Sequence, residues 1–93
     1  MIKSFGDKEC EKIWNGNPSR KLPVEIQEVA RRKLRMINNA QDIVDLRFPP
    51  SNRMEKLKGD LHEYFSIRIN NQWRIIFKWV SNDAYETKIV DYH

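Results

Sequence analysis

The sequence predicts an α+β domain in which two N-terminal helices pack on one face of a mainly antiparallel sheet of four to five strands. Two patterns carry that reading. From Phe65 to Trp79 apolar residues recur at every second position, the period of a half-buried strand, and from Val24 to Asn39 they recur at three-and-four spacing, the period of an amphipathic helix. The order of elements supplies the third observation: a short strand, two helices, a link through Pro49-Pro50, then three or four consecutive strands.

In chain order, Ile2 to Phe5 alternates apolar and polar residues and reads as an edge strand closing the sheet, ended by Gly6. Asp7 stands where an N-cap belongs, and Cys10, Ile13 and Trp14 follow at helical spacing until Gly16 and Pro18 stop the helix. The loop NGNPSRK leads to Pro23, suited to a first helical turn, and Ile26, Val29, Ala30, Leu34 and Ile37 then form one stripe. Glu28, Arg31, Arg32 and Arg35 occupy the other face, which reads first as a solvated surface and second as a contact for a large polyanion. Asn38 and Asn39 end that helix, and Ile43, Val44 and Leu46 suggest one further turn across its end. Phe48-Pro49-Pro50 forbids helix, so SNRMEKLKGD begins as a connector and pairs as a strand anchored by Met54 and Leu57, with Lys58-Gly59-Asp60 as a turn.

In the hairpin, Phe65, Ile67 and Ile69 share a face, with Ser66, Arg68 and Asn70 on the other. After the turn at Asn70-Asn71, Trp73, Ile75, Phe77 and Trp79 repeat the period and leave Arg74, Ile76 and Lys78 opposite. A last run from Tyr85 to Tyr92 continues the sheet. Trp14, Trp73 and Trp79 are assigned to the core, because aromatic residues at these spacings pack inward.

The 93 residues make one domain, and 40% hydrophobic with 32% charged residues is a globular composition. A net charge of +4 and a pI of about 9.4 favour an acidic partner such as nucleic acid, or an acidic protein, over a membrane interior. Cys10 is the one cysteine, which excludes an internal disulfide and a Cys-rich zinc site and points to a reducing cytoplasm. The opening MIKSFGDKEC lacks the apolar run of a signal peptide, and no window reaches the roughly 18 apolar residues of a membrane span.

The polar residues narrow the chemistry. Arg68 and Arg74 fall on neighbouring strands, where cross-strand neighbours on one face stand about 5 Å apart. Two arginines so placed repel unless an anion joins them, and arginine is shaped to chelate phosphate. The structural alternative is an ion pair of either arginine with Glu55, Glu86 or Asp91. Asp91-Tyr92-His93 brings a carboxylate, a phenol and an imidazole together at the end of a strand-like run, whereas His62 lies in a charged turn and is not selected. No cluster has metal-ligand spacing, and no cofactor is expected.

The runs LKGD, SIRINNQWRIIFKW and VDYH, with the opening MIKSF and the link DLRFPPSNRMEKLKG, resemble the HigB branch of the RelE/ParE superfamily of bacterial toxins over essentially the whole chain. The resemblance implies a RelE-like fold and a ribosome-dependent mRNA endonuclease, a bacterial cytoplasmic protein silenced by a HigA-type helix-turn-helix antitoxin. Carried across position by position, it implies catalytic roles for Lys58, Arg74, Asp91, Tyr92 and His93. Some relatives carry a histidine three residues before the LKG lysine; this chain has Glu55 there, as YoeB-like toxins carry glutamate. The general base therefore lies among Glu55, Asp91 and His93. Arg68, with Arg53 and Lys56, is expected to hold RNA.

Those residues would support metal-free transesterification, with the ribose 2'-hydroxyl as the nucleophile, Lys58 and Arg74 neutralising phosphate charge, Tyr92 positioning the substrate and His93 as general acid. The competing readings are a ParE-like inhibitor of DNA gyrase with the same fold and no catalysis, and a non-catalytic RNA-binding module.

Overall fold

The computed structural model describes residues 1–92. His93, expected to supply the general acid, lies outside the described residues. Helix α1 (Lys8–Trp14) and helix α2 (Val24–Asn39) precede a meander of four antiparallel strands, β1 (Glu55–Lys56), β2 (Tyr64–Arg68), β3 (Trp73–Val80) and β4 (Asp83–Asp91), in the spatial order β1-β2-β3-β4. Both helices lie against one face, where Ile13, Ile26, Ala30, Leu34 and Ile37 meet Ile67, Ile75, Phe77, Ala84 and Ile89 in one core. Trp14, Trp73 and Trp79, expected in the core, are half-buried and pack against its border.

Local chemistry explains where the elements start and stop. Asp7 caps α1 by accepting from the Cys10 backbone N–H at 2.6 Å, and its second oxygen accepts from Ile89 N at 3.1 Å, so one carboxylate fixes the helix to β4. Pro23 sits one residue before α2 rather than inside its first turn. Gln27, buried below it, holds the preceding loop through bonds with Ser19 N, Ser19 O and Leu22 O. Val29, expected in the stripe, is only half-buried, whereas Arg31, expected in solvent, donates from Nε to Ile13 O at 2.9 Å and ties the two helices together. The further turn expected after α2 is a 3-10 turn (Ile43–Arg47) with Leu46 buried, followed by a second over Pro50–Asn52.

The expected N-terminal edge strand takes a different form. Ile2 and Phe5 make isolated parallel bridges to Ala84 and Thr87 along the outer edge of β4. The ladder is interrupted because Glu86 has a left-handed backbone (φ 52°) and turns its N–H to the Ser4 hydroxyl at 2.9 Å.

The other side of the sheet has its own small apolar cluster, in which Leu57, Tyr64 and Ile76 are buried with Val90 against them. Met54 packs into the main core instead. The two anchors read from the sequence thus serve opposite sides, as an odd spacing in extended chain requires. Among the described residues, no helix is long and apolar enough to cross a membrane.

Candidate active site

The open face of the sheet, away from the helices, is where Glu55, Lys58, Arg74 and Tyr92 of the expected site residues come near one another. Arg68 and Arg74 are register partners across β2 and β3, and Glu55 stands opposite Ser66, one step further along the same face. This register lets Arg74 Nη1 reach Glu55 Oε1 at 3.3 Å and Ser66 Oγ at 3.3 Å, while the guanidinium carbon lies 4.5 Å from the centre of the Tyr92 ring. Three neighbours therefore fix one guanidinium, whose side chain is only 14% exposed against 47% for Glu55. Tyr92 is held in turn by its backbone N–H, which donates to Gln72 O at 2.6 Å.

Beside this cluster an open groove of about 280 Å³ is lined by Glu55, Lys56, Leu57, Lys58, Leu61 and Tyr92. Lys58 opens the 3-10 turn Gly59–Leu61, is exposed, and makes no hydrogen bond or ion pair with another described residue. Gly59 follows with φ +69°, a left-handed conformation that glycine adopts without strain, and this reversal presents Lys58 at the groove. An unpaired ammonium, a carboxylate and a phenol thus line one solvent-open depression, and the pinned guanidinium touches the carboxylate and the phenol from beside it.

The remaining expected residues are distributed differently. Arg68 faces the same side but donates to the Asn71 side chain in the turn. Asp91 is the register partner of Trp73, so its side chain belongs to the helix-bearing face, and it accepts from Gln72 Nε2 at 3.1 Å. It does not share the face of Arg74 and Tyr92. Lys56 is the partner of Phe65 and lays its ammonium 4.8 Å from that ring centre, turned from Glu55 by the alternation of strand side chains. Arg53 is exposed in a left-handed conformation (φ 46°) and is not among the groove's lining residues.

Ser66, Leu57 and Leu61 belong to the site and were not read from the sequence as part of it. Ser66 carried a usable signal, since it lies two residues before Arg68 and must share that face. Among the described residues, no group of three or more His, Cys, Asp or Glu side chains is placed to hold a metal ion.

Comparison with known proteins bears on this arrangement. Residues 3–93 match the family described as the RelE-like toxin of the type II toxin-antitoxin system HigB. The chain is 41% identical over 88 residues to the protein named Toxin HigB-1 of Vibrio cholerae serotype O1, covering 94% of this chain and 93% of that one. It is 31% identical over 93 residues to the Endoribonuclease HigB of Proteus vulgaris, covering the whole of both. Among solved structures, a chain of the YoeB-YefM complex from Staphylococcus aureus superimposes with a TM-score of 0.63 at 17% identity, covering 100% of this chain and 98% of that one, a likeness of fold.

Proposed function

This chain belongs to the HigB-like family of toxins of type II toxin-antitoxin systems, and on that footing we propose that it is a ribosome-dependent endoribonuclease that cuts mRNA by attack of the ribose 2'-hydroxyl. The observation that carries the reading is the meeting of Glu55, Lys58 and Tyr92 at one open groove, with Arg74 against Glu55 and the Tyr92 ring at its side. The full-length similarity to a relative named as an endoribonuclease supports it.

In the proposed reaction Glu55 takes the proton of the 2'-hydroxyl, the O2'–P bond forms, the P–O5' bond breaks, and the departing O5' receives a proton from the general acid. The products are a 2',3'-cyclic phosphate and a free 5'-hydroxyl. Glu55 is preferred as base because it lines the groove, whereas the register turns Asp91 to the other face. His93, next in the chain after Tyr92, is the proposed acid. Lys58 and Arg74 stabilise charge developing on the phosphoryl oxygens, and Arg74 arrives already oriented by Ser66 and the Tyr92 ring. One well-placed donor of this kind contributes about 3 kcal/mol to the transition state. The Tyr92 face left free by Arg74 can carry a base of the message. The substrate supplies the nucleophile, so no cofactor is required.

The proposed silencing partner is a HigA-type helix-turn-helix antitoxin. Incubation with translating ribosomes, followed by mapping of message ends, tests the reading. Discrete cuts that disappear with Lys58→Ala and Arg74→Ala are expected. Intact message together with stalled DNA supercoiling would overturn it in favour of gyrase inhibition.

A further inference from the structure

We propose that the open face of the sheet carries a second phosphate-binding position, built from Lys88 and Lys78 around the Tyr64 ring, which holds a backbone phosphate of the same RNA strand away from the linkage that is cut. This rests on the RNA-cleaving reading above and extends it to residues outside the groove.

Register places both lysines on the face of Arg74. Val90 is the partner of Arg74 and Lys88 the partner of Ile76, so Lys88 lies two positions along, about 7 Å from the arginine's row. Lys78, partner of Tyr64, lies four positions along β3, about 13 Å away. Arg74, Lys88 and Lys78 therefore form a cationic line on β3 and β4, with Lys88 and Lys78 in the cross-sheet rows of Glu55 and Leu57 but two to three strands away from them, a geometry with which proteins follow a single strand.

Both ammonium groups lie against the same ring. Lys88 Nζ lies 5.4 Å and Lys78 Nζ 5.5 Å from the centre of the one Tyr64 ring. Only Lys78 has a carboxylate, Glu63 at 3.4 Å, in a pair exposed enough for water or another anion to displace it. Lys88 makes no ion pair with a described residue. Two cations against one ring, only one of them paired with a carboxylate, repel each other, and an anion close to both relieves that repulsion.

Gly6 gives the independent sign that Lys88 is held in place. A Cβ there would stand 2.4 Å from Lys88 Cε and 2.7 Å from its Cγ, while the glycine itself has no positive φ to explain its presence. The N-terminal segment thus leaves room for the lysine stem, which lies against its backbone. Tyr64 is itself buried in the small apolar cluster, so it fixes the lysines and does not stack on a base.

The test compares binding of 2'-O-methyl RNA, which this chemistry cannot cut, as a dinucleotide and as a hexanucleotide, by the full chain and by K78Q/K88Q. The wild type should show a steeper dependence of log K on log salt with the hexanucleotide. K78Q/K88Q should flatten that slope by about 0.7 for each phosphate no longer held and leave dinucleotide binding unchanged. G6V should imitate K88Q by displacing the stem, and K88Q, which keeps Gly6, serves where G6V lowers the melting temperature. Equal slopes for wild type and double variant would overturn the proposal, as would equal loss for both lengths or no binding of the hexanucleotide by the wild type. Weakened binding of polyglutamate with unchanged RNA binding would assign the lysines to an acidic protein and overturn it too. Ribosome-dependent cutting that persists beside unchanged RNA slopes would sink this position alone; absence of cutting beside a length-dependent slope would sink the nuclease reading alone.

Discussion

Replacing either member of the buried Lys33–Asn52 pair should destabilise the protein very unequally. Lys33, on α2, is 5% exposed and is the only charged side chain among the buried described residues; Asn52 is 0% exposed. The lysine ammonium donates to Asn52 Oδ1, and the Asn52 amide donates to Leu46 O at 3.2 Å and Phe48 O at 3.3 Å. Asn52→Ala removes these three bonds and a weaker one to Met36 Sδ at 3.9 Å, strands a buried ammonium and leaves two carbonyls unsatisfied. At about 1 to 3 kcal/mol for each buried group left without a partner, and more for a charge, the loss should be near 4 kcal/mol. Lys33→Met keeps the aliphatic stem, removes the charge and leaves one amide oxygen unpaired, so its cost should be about 1 to 2 kcal/mol. The double variant should then be more stable than Asn52→Ala alone, because the stranded charge has gone. Urea unfolding at pH 7 measures all four proteins, and a double variant whose loss is the sum of the two single losses would refute the reasoning. The same pair carries a pH dependence. Burial, then the charges of Arg32 and Arg68, hold the Lys33 pKa below its ordinary value. Between that lowered pKa and the ordinary lysine value the unfolded chain binds more protons than the folded one, so this group makes stability rise with pH across the window. Lys33→Met should remove that rise.

Three further outcomes follow from individual side chains. Thr87→Val should raise stability by about 1 kcal/mol, or several degrees in Tm, because the Thr87 hydroxyl is buried without a hydrogen-bond partner among the described residues; a fall in Tm would contradict this. Asp7→Ala should cost about 2 kcal/mol in urea unfolding, since it loses both the cap on α1 and the acceptor for Ile89 N, and a cost below about 0.5 kcal/mol would show that the carboxylate does not join helix to strand. Arg74→Lys keeps the charge but loses the fork that touches Glu55, Ser66 and the Tyr92 ring together, so mRNA cleavage should fall at least about tenfold with little change in Tm. Cleavage within about twofold of wild type would contradict that role for the guanidinium.

Periodicity alone makes one face of the sheet readable in the amino-acid sequence. The alternation from Phe65 to Trp79 identifies the core residues of β2 and β3, and the same alternation puts Arg68 and Arg74 together on the other side. It could not reveal Ile76 and Tyr64 as buried, because their cover comes from Leu57 and Val90 on strands whose register a single period does not specify. Asp91 illustrates the same limit within the site. Its place in the terminal run suggested company for Tyr92, yet adjacent residues in a strand point to opposite faces, and pairing with Trp73 decides which face Asp91 takes. Lys33 was unreadable for another reason: a lysine within an Arg-rich helix reads as solvated, and the asparagine that allows its burial arrives 19 residues later in an irregular link. Gly6 read as a terminator, whereas its neighbour Lys88, distant in sequence, supplies the requirement for a missing side chain.

The proposed use of the substrate's own 2'-hydroxyl at the groove of Glu55 and Lys58, beside Arg74, is tested most directly by removing that one oxygen. A message carrying a single 2'-deoxynucleotide on the 5' side of a mapped cut, presented on translating ribosomes, should stay intact at that linkage while cuts elsewhere in the same message continue. Cleavage at the deoxy linkage at the unmodified rate would contradict the mechanism.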